Sequence, residues 1–199
     1  MNKEFPEYWK SIDLKDICYF QEGPGLRNWQ YRKKGTKFIN IRCIKDGYLD
    51  TSIAQFLSTE EVSNKYKHFL LNEGDYVLSS SGTIGRIAVV RKYDLPLLLN
   101  TSVIRFKTLD QLQLNEKYLF YFLQSQQFFE KIHEQSQGSA QFNFGPSHLK
   151  TINAHFPPQK DQKNIAEILS SIDILIEKLG IQIDKIKLLK ISLEKSLLD

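Results

Sequence analysis

The chain has 199 residues, 27 Lys and Arg against 23 Asp and Glu, and a net charge of +4. That is enough for one domain of about 150 residues with its own core, plus an appendage. No run approaches the ~18 apolar residues of a membrane-spanning helix, and Met1-Asn2-Lys3-Glu4-Phe5-Pro6 lacks the apolar centre of an export signal, so a cytoplasmic location is expected.

Residues 6–20 read as a leading segment in which Pro6, Trp9, Ile12, Leu14 and Ile17 cover one edge of a core. Gln21 to Gly35, with Gly23-Pro24-Gly25, reads as a loop. It opens a basic stretch. Arg27, Arg32, Lys33, Lys34, Lys37, Arg42 and Lys45 place seven positive charges in nineteen residues, with no Asp or Glu among them. Asn28, Trp29 and Tyr31 interleave with them. This is the footprint of a phosphate-contacting surface; a solvated basic loop without a partner is the alternative. Phe38 to Ile44 alternates as a half-buried strand, with Ile39, Ile41 and Cys43 on one side and Asn40 and Arg42 on the other. Cys18 and Cys43 are too few for a disulfide framework and read as buried thiols.

Ser58-Thr59-Glu60-Glu61 has the form of a capping box, opening a short helix to about Tyr66. Strands are expected at Tyr76–Ser79 and Arg86–Val90, and a strand pair over about Leu97–Lys107. Between the first two, Ser79-Ser80-Ser81-Gly82-Thr83-Ile84-Gly85 is a small-residue loop. Its glycines permit close approach of another surface. Ser81 and Thr83 can hydrogen-bond phosphates or base edges, with Arg86 adding charge; turn chemistry explains the same residues equally well. Asn115 caps a helix from Glu116 to about Glu134 with Leu119, Phe122, Leu123 and Phe129 on its apolar face. Gln135 to Pro146 reads as a loop. Its Gln141 and Asn143 carry amides suited to adenine or to capping local backbone. Leu149 to Phe156 looks extended, and Pro157-Pro158 opens the last helix.

That helix carries apolar residues at alternating steps of four and three: Ile165, Leu169, Ile172, Ile176, Leu179, Ile183, Ile186, Leu193 and Leu197, with Lys190 in the one polar slot. A 3.5-residue repeat sustained over about five heptads marks a coiled-coil seam. At about 1.5 Å per residue the helix is roughly 55 Å long, too long to lie against a domain of this size. It needs a partner helix, and a second copy of the chain is the simplest one. A helix folded back on its own domain, broken near Gly180, is the competing reading. The expected architecture is therefore α+β: a globular domain of short twisted strands and helices over residues 1–157, then a helical arm over 158–199.

Catalytic signatures are missing. Gly82-Thr83-Ile84-Gly85-Arg86 lacks the Gly-Lys-Ser/Thr end of a phosphate-binding loop. No Asp/Asn-Pro-Pro-Tyr segment of the adenine methyltransferase kind occurs; Phe156-Pro157-Pro158-Gln159 leads into a helix instead. His68, His133, His148 and His155 have no partner at metal-ligand spacing, and no Gly-x-Ser-x-Gly frame surrounds Ser79–Ser81.

Three blocks together resemble a known family. Gly74-Asp75-Tyr76-Val77-Leu78-Ser79-Ser80-Ser81-Gly82-Thr83-Ile84-Gly85 resembles a block in the target-recognition domains of type I restriction-modification specificity subunits, and Asn100-Thr101-Ser102-Val103-Ile104-Arg105 the segment that follows it. Gly138-Ser139-Ala140-Gln141, Leu149, Phe156-Pro157-Pro158, Gln162 and Ile165 resemble the passage into the family's spacer helix. The likeness spans nearly the whole chain, but typical members carry two recognition domains and two spacer helices, and this chain has one of each. The resemblance implies a non-catalytic protein that reads double-stranded DNA and scaffolds modification (methyltransferase) subunits, with restriction subunits able to join. S-adenosylmethionine would sit in the modification subunit; no cofactor is expected in this chain. On that reading Arg27, Arg32, Lys33, Lys34 and Arg42 contact the DNA backbone, with Arg86 adding charge. Asn28, Gln30, Ser81, Thr83, Gln141 and Asn143 are base-reading candidates, and the seam from Ile165 to Leu197 makes a homodimer on a palindromic bipartite site. The alternative is a coiled-coil interaction scaffold without specific DNA binding.

Overall fold

The computed structural model describes residues 5–82, 84–135 and 144–198. In chain order it forms β1 (Lys10–Asp13), α1 (Leu14–Ile17), β2 (Cys18–Glu22), β3 (Thr36–Phe38), β4 (Gln55–Leu57), α2 (Thr59–Glu61), β5 (Tyr76–Ser79), β6 (Ile87–Val89), β7 (Leu97–Leu98), β8 (Val103–Thr108), α3 (Glu116–Phe122), α4 (Gln126–Gln135), α5 (Pro146–Leu149), β9 (Asn153–Phe156) and α6 (Gln159–Leu198). Three small sheets result. The central one runs β2-β8-β5-β6, all antiparallel; β4-β3-β7 forms a second, with β3 and β7 parallel; β1 and β9 pair as a ribbon.

Side chains on a strand alternate between faces, and both faces of the central sheet are buried. Tyr76, Leu78, Ile104 and Phe106 pack with Leu14, Leu119, Phe128 and Phe156 on the helical side. Val77, Ala88 and Val103 pack with Ile39, Cys43, Leu97 and Leu99 on the other. Arg105 lies between two apolar positions of β8 yet is buried. Its guanidinium is met by the Asp75 carboxylate at 3.3 Å, the Leu70 and His68 carbonyls at 2.8 and 3.2 Å, and the Gln21 side-chain oxygen. Lys107 Nζ reaches the other Asp75 oxygen at 2.8 Å. Both buried charges are therefore compensated, as burial requires.

Four boundaries differ from the sequence expectation. The strand expected over Phe38–Ile44 ends at Phe38: the Asn40 side chain accepts the Arg42 N–H at 2.9 Å and caps a 3₁₀ turn, Ile41–Cys43. Local side-chain capping thus displaces the strand ladder. The helix expected over Thr59–Tyr66 keeps its Ser58 cap, at 3.4 Å from Glu61 N, but widens into a π turn at Val62–Tyr66. The helix expected over Glu116–Glu134 is two helices. Asn115 caps the first, accepting from Tyr118 N, and Ser125 Oγ takes Phe128 N at 3.2 Å at the start of the second. The extended segment expected from Leu149 is shorter, because Pro146 opens α5 and only Asn153–Phe156 is strand.

The arm is a continuous helix of 40 residues, about 60 Å at 1.5 Å per residue. Among the described residues only its first four turns touch the domain. Gln162 is buried and acts as a bolt: its oxygen accepts Asn115 N at 2.8 Å, and its amide donates to the Gln113 and Pro157 carbonyls at 2.9 and 3.0 Å. Ala166 is buried beside it, and Ile165 packs against the helical-side core. Residues 171–198 are exposed throughout.

Candidate nucleic-acid interface

The basic stretch begins at a 3₁₀ turn, Asn28–Gln30. Gln30 is buried. Its amide donates to Glu61 Oε1 at 2.8 Å and Tyr66 Oη at 3.1 Å, and its oxygen accepts Arg27 N at 2.9 Å. It holds the turn to α2 and the π turn and is not available on the surface. Arg32 donates to its neighbours' carbonyls, Trp29 O and Tyr31 O, both at 3.0 Å. Arg27, Asn28, Lys33, Lys34 and Arg42 stand exposed, and Trp29 is 75% exposed beside them.

Past β3, the capped turn carrying Arg42 lines one wall of an open concavity of about 570 Å³. Its polar rim is Asn28, Asn40, Arg42, Gln55 and Asn100; Tyr31, Ile41 and Ile53 supply apolar surface. Four chain segments meet around it, and glycines permit two of the approaches. At Gly82, with φ +65°, a Cβ would lie 2.8 Å from the Ile41 side chain, so the serine-glycine loop rests on the Asn40 turn. At Gly23 a Cβ would lie 2.5 Å from Asn100 N, which brings the first loop onto the turn before β8. Ser80 N donates to Ser102 O at 3.1 Å and ties the serine loop to that same turn.

The electrostatics favour an anionic or acceptor-rich ligand. No carboxylate lines the concavity among the described residues. Nearby, Asp50 is held below its ordinary range by hydrogen bonds from the Ser52 hydroxyl and N–H. Glu22, beneath Thr101, is pushed up by partial burial against the opposing hydroxyl bond from Thr101.

Of the residues expected at the interface, Ser81 is half-buried in the serine loop and Arg86 is exposed at its end. Thr83, Gln141 and Asn143 lie outside the described residues. Asn40, Gln55 and Asn100 are additions that sequence reasoning missed. In the sequence Asn40 reads as the polar side of a strand, and nothing local distinguishes Gln55. Asn100 stands in the Asn-Thr-Ser block, which is the available signal. On the arm, Ile165 and Leu169 face the chain's own domain, Leu169 lining a groove with Trp9, Tyr118 and Tyr121. Ile172, Ile176, Leu179, Ile183, Ile186, Leu193 and Leu197 are exposed. A second apolar row, Ile174, Ile181 and Leu188, repeats every seven residues on another side of the same helix and escapes the heptad reading. Among the described residues no group of three or more His, Cys, Asp or Glu side chains is placed to hold a metal ion, and no helix is long and apolar enough to cross a membrane.

The fold defines a small α+β domain that ends in a long helical arm, and the chain's sequence assigns the class. Residues 6–188 match the family described as the type I restriction modification DNA specificity domain, and the chain belongs to that family. It is 31% identical over 178 residues to the type I restriction enzyme MjaVIII specificity subunit of Methanocaldococcus jannaschii, across 87% of this chain and 41% of that protein. It is 26% identical over 183 residues to the type I restriction enzyme EcoAI specificity subunit of Escherichia coli, across 87% of this chain and 29% of that one. The fold is shared with the crystal structure of the HsdS subunit from Thermoanaerobacter tengcongensis, at TM-score 0.65 and 17% identity over 91% of this chain and 41% of that one. It is shared also with the S subunit of the type I restriction-modification system of M. genitalium, at TM-score 0.57 and 20% identity over 90% and 43% of the two chains. The chain spans less than half the length of these relatives.

Proposed function

We propose that the chain is a non-catalytic, sequence-reading component of a type I restriction-modification system, binding duplex DNA and carrying methyltransferase subunits, with restriction subunits able to join. The observation that carries this reading is the family match over residues 6–188. The exposed cations around an acceptor-seeking concavity support it. One domain reads one half-site. The exposed apolar seam from Ile172 to Leu197 supports pairing of two copies with two-fold symmetry, which makes the full site a palindrome whose spacing the arms set. The second row, Ile174, Ile181 and Leu188, supports attachment of further subunits along the arm. S-adenosylmethionine belongs to the methyltransferase subunit, and the setting is cytoplasmic.

The test is a titration of the purified chain against random-sequence duplexes at several salt concentrations, beside light scattering. Salt-sensitive binding by a dimer is the expected result. A dimer indifferent to DNA favours the coiled-coil scaffold, and a stable monomer at micromolar concentration removes the palindrome. Methylome mapping with and without the gene then yields the motif and its symmetry together.

A further inference from the structure

Within that DNA-reading role, we propose that Arg42 reads a guanine through its major-groove edge and is the residue that fixes one base of the half-site. The arginines and lysines of the domain are not equivalent. Arg105 is buried on Asp75, and Arg32 is spent on the Trp29 and Tyr31 carbonyls. Lys33 and Lys34 project from an exposed stretch. Arg42 is the one cation lining the concavity among the described residues, and it joins a free head group to a rigid base. No described residue pairs with its guanidinium, while its backbone N–H is clamped by Asn40 and the next two residues, Cys43 and Ile44, are fully buried. The rigid backbone limits where the side chain can reach, and the planar guanidinium fork suits a bidentate acceptor.

The surroundings select the partner. The side-chain oxygens of Asn40 and Asn100 already accept backbone N–H groups, from Arg42 and Thr101. Their amide nitrogens are left to donate, so Asn40, Asn100 and Arg42 present donors, while the Asn28 and Gln55 amides on the same rim offer a donor and an acceptor each. In the major groove guanine presents two acceptors, O6 and N7, and cytosine presents a donor. A phosphate is also an acceptor, but the recess is part apolar, with Ile41, Ile53 and Tyr31. Apolar surface beside the guanidinium disfavours a hydrated anion.

The experiment is selection of duplexes from a random pool by the full chain, repeated with Arg42→Ala, Arg42→Lys and Lys33→Ala. The unmodified chain should enrich a motif with one position held by guanine. Arg42→Ala should lose that preference and bind the motif about tenfold to a hundredfold more weakly, with off-motif binding little changed. Arg42→Lys keeps the charge without the fork and should lose the preference too; Lys33→Ala should keep it. Arg42 is exposed, so unchanged thermal unfolding verifies that each variant is folded. A motif without guanine overturns the assignment. So does an Arg42→Ala variant with the same motif, whether its binding is unaffected or uniformly weaker with a salt slope smaller by about one, the mark of a phosphate contact. A chain that binds no duplex at any salt overturns the broader DNA-reading role instead.

Discussion

The Tyr121 hydroxyl donates to Asp173 Oδ2 at 2.7 Å and joins α3 to the fourth turn of the arm. It lies about three helical turns beyond the Gln162 bolt, so two polar contacts along one helix define the angle at which the arm leaves the domain. Partial burial and the Asp173 carboxylate push the Tyr121 phenol upward, and it stays protonated as the donor. Replacing Tyr121 by Phe should cost about 0.5–1 kcal/mol, the low end for a hydrogen bond because the pair is exposed. It should also broaden the arm-to-domain distance distribution in spin-label measurements. An unchanged distribution would assign the whole orientation to Gln162 and the apolar side chains around it.

The cationic edge should act without sequence preference. Lys33→Ala with Lys34→Ala should weaken binding to every duplex. The slope of log K against log salt should shrink by roughly two, since each phosphate that is no longer neutralised removes about 0.9. Filter binding across a salt series measures this; an unchanged slope makes the pair a solvated surface.

The seam is open to direct attack. Ile183→Asp places a charge in the middle of the exposed apolar row and should convert a dimer to a monomer in sedimentation analysis. The globular domain should still unfold cooperatively, because Ile183 lies on the exposed stretch of the arm beyond it.

Arg105→Ala should be the most damaging single change outside the apolar core. It removes the guanidinium from a fully buried Asp75, leaving Lys107 as its one ionic partner among the described residues. Breaking a buried pair in this way costs about 3–5 kcal/mol. Chemical denaturation should show it as a lower midpoint, with DNA binding unaffected in whatever fraction remains folded.

Alkaline pH should destabilise the fold. Burial pushes the Cys18 thiol from its ordinary 9.0 up to about 12, and the Tyr118 phenol from 10.0 up to about 12. Both groups hold their protons more tightly folded than unfolded. Their contribution is therefore complete below the unfolded value near 9 and is lost as pH rises toward 12. Each proton contributes a slope of at most about 1.4 kcal/mol per pH unit. Unfolding free energies measured from neutral to strongly alkaline pH should be flat below about 9 and then fall, and Cys18→Ala should reduce the steepness.

Elements whose signals are local were legible from the sequence. Ser58 and Asn115 cap the helices they were expected to cap, because a cap is a contact between residues three apart. Tyr76–Ser79 and Val103–Thr108 are strands, and the heptad spacing predicted one long helix. Misreadings arose where a second local interaction competed. Asn40 turned the backbone before the apparent alternation could continue, and Ser125 restarted a helix that periodicity alone had joined.

Residue types along the chain sufficed for the family, the basic stretch and the arm, since charge, spacing and side-chain size are written in order. Their allocation to roles was decided only in three dimensions. Gln30 and Arg42 look alike as polar residues of one basic segment, yet one is buried against Glu61 and Tyr66 and the other stands free at a recess. Asn40, Gln55 and Asn100 share that recess because β3 pairs with both β4 and β7, setting Phe38 opposite Gln55 and Leu98, while Gly23 and Gly82 let two loops pack against the same turns. Availability for a partner depends on what already satisfies each group, and long-range packing settles that.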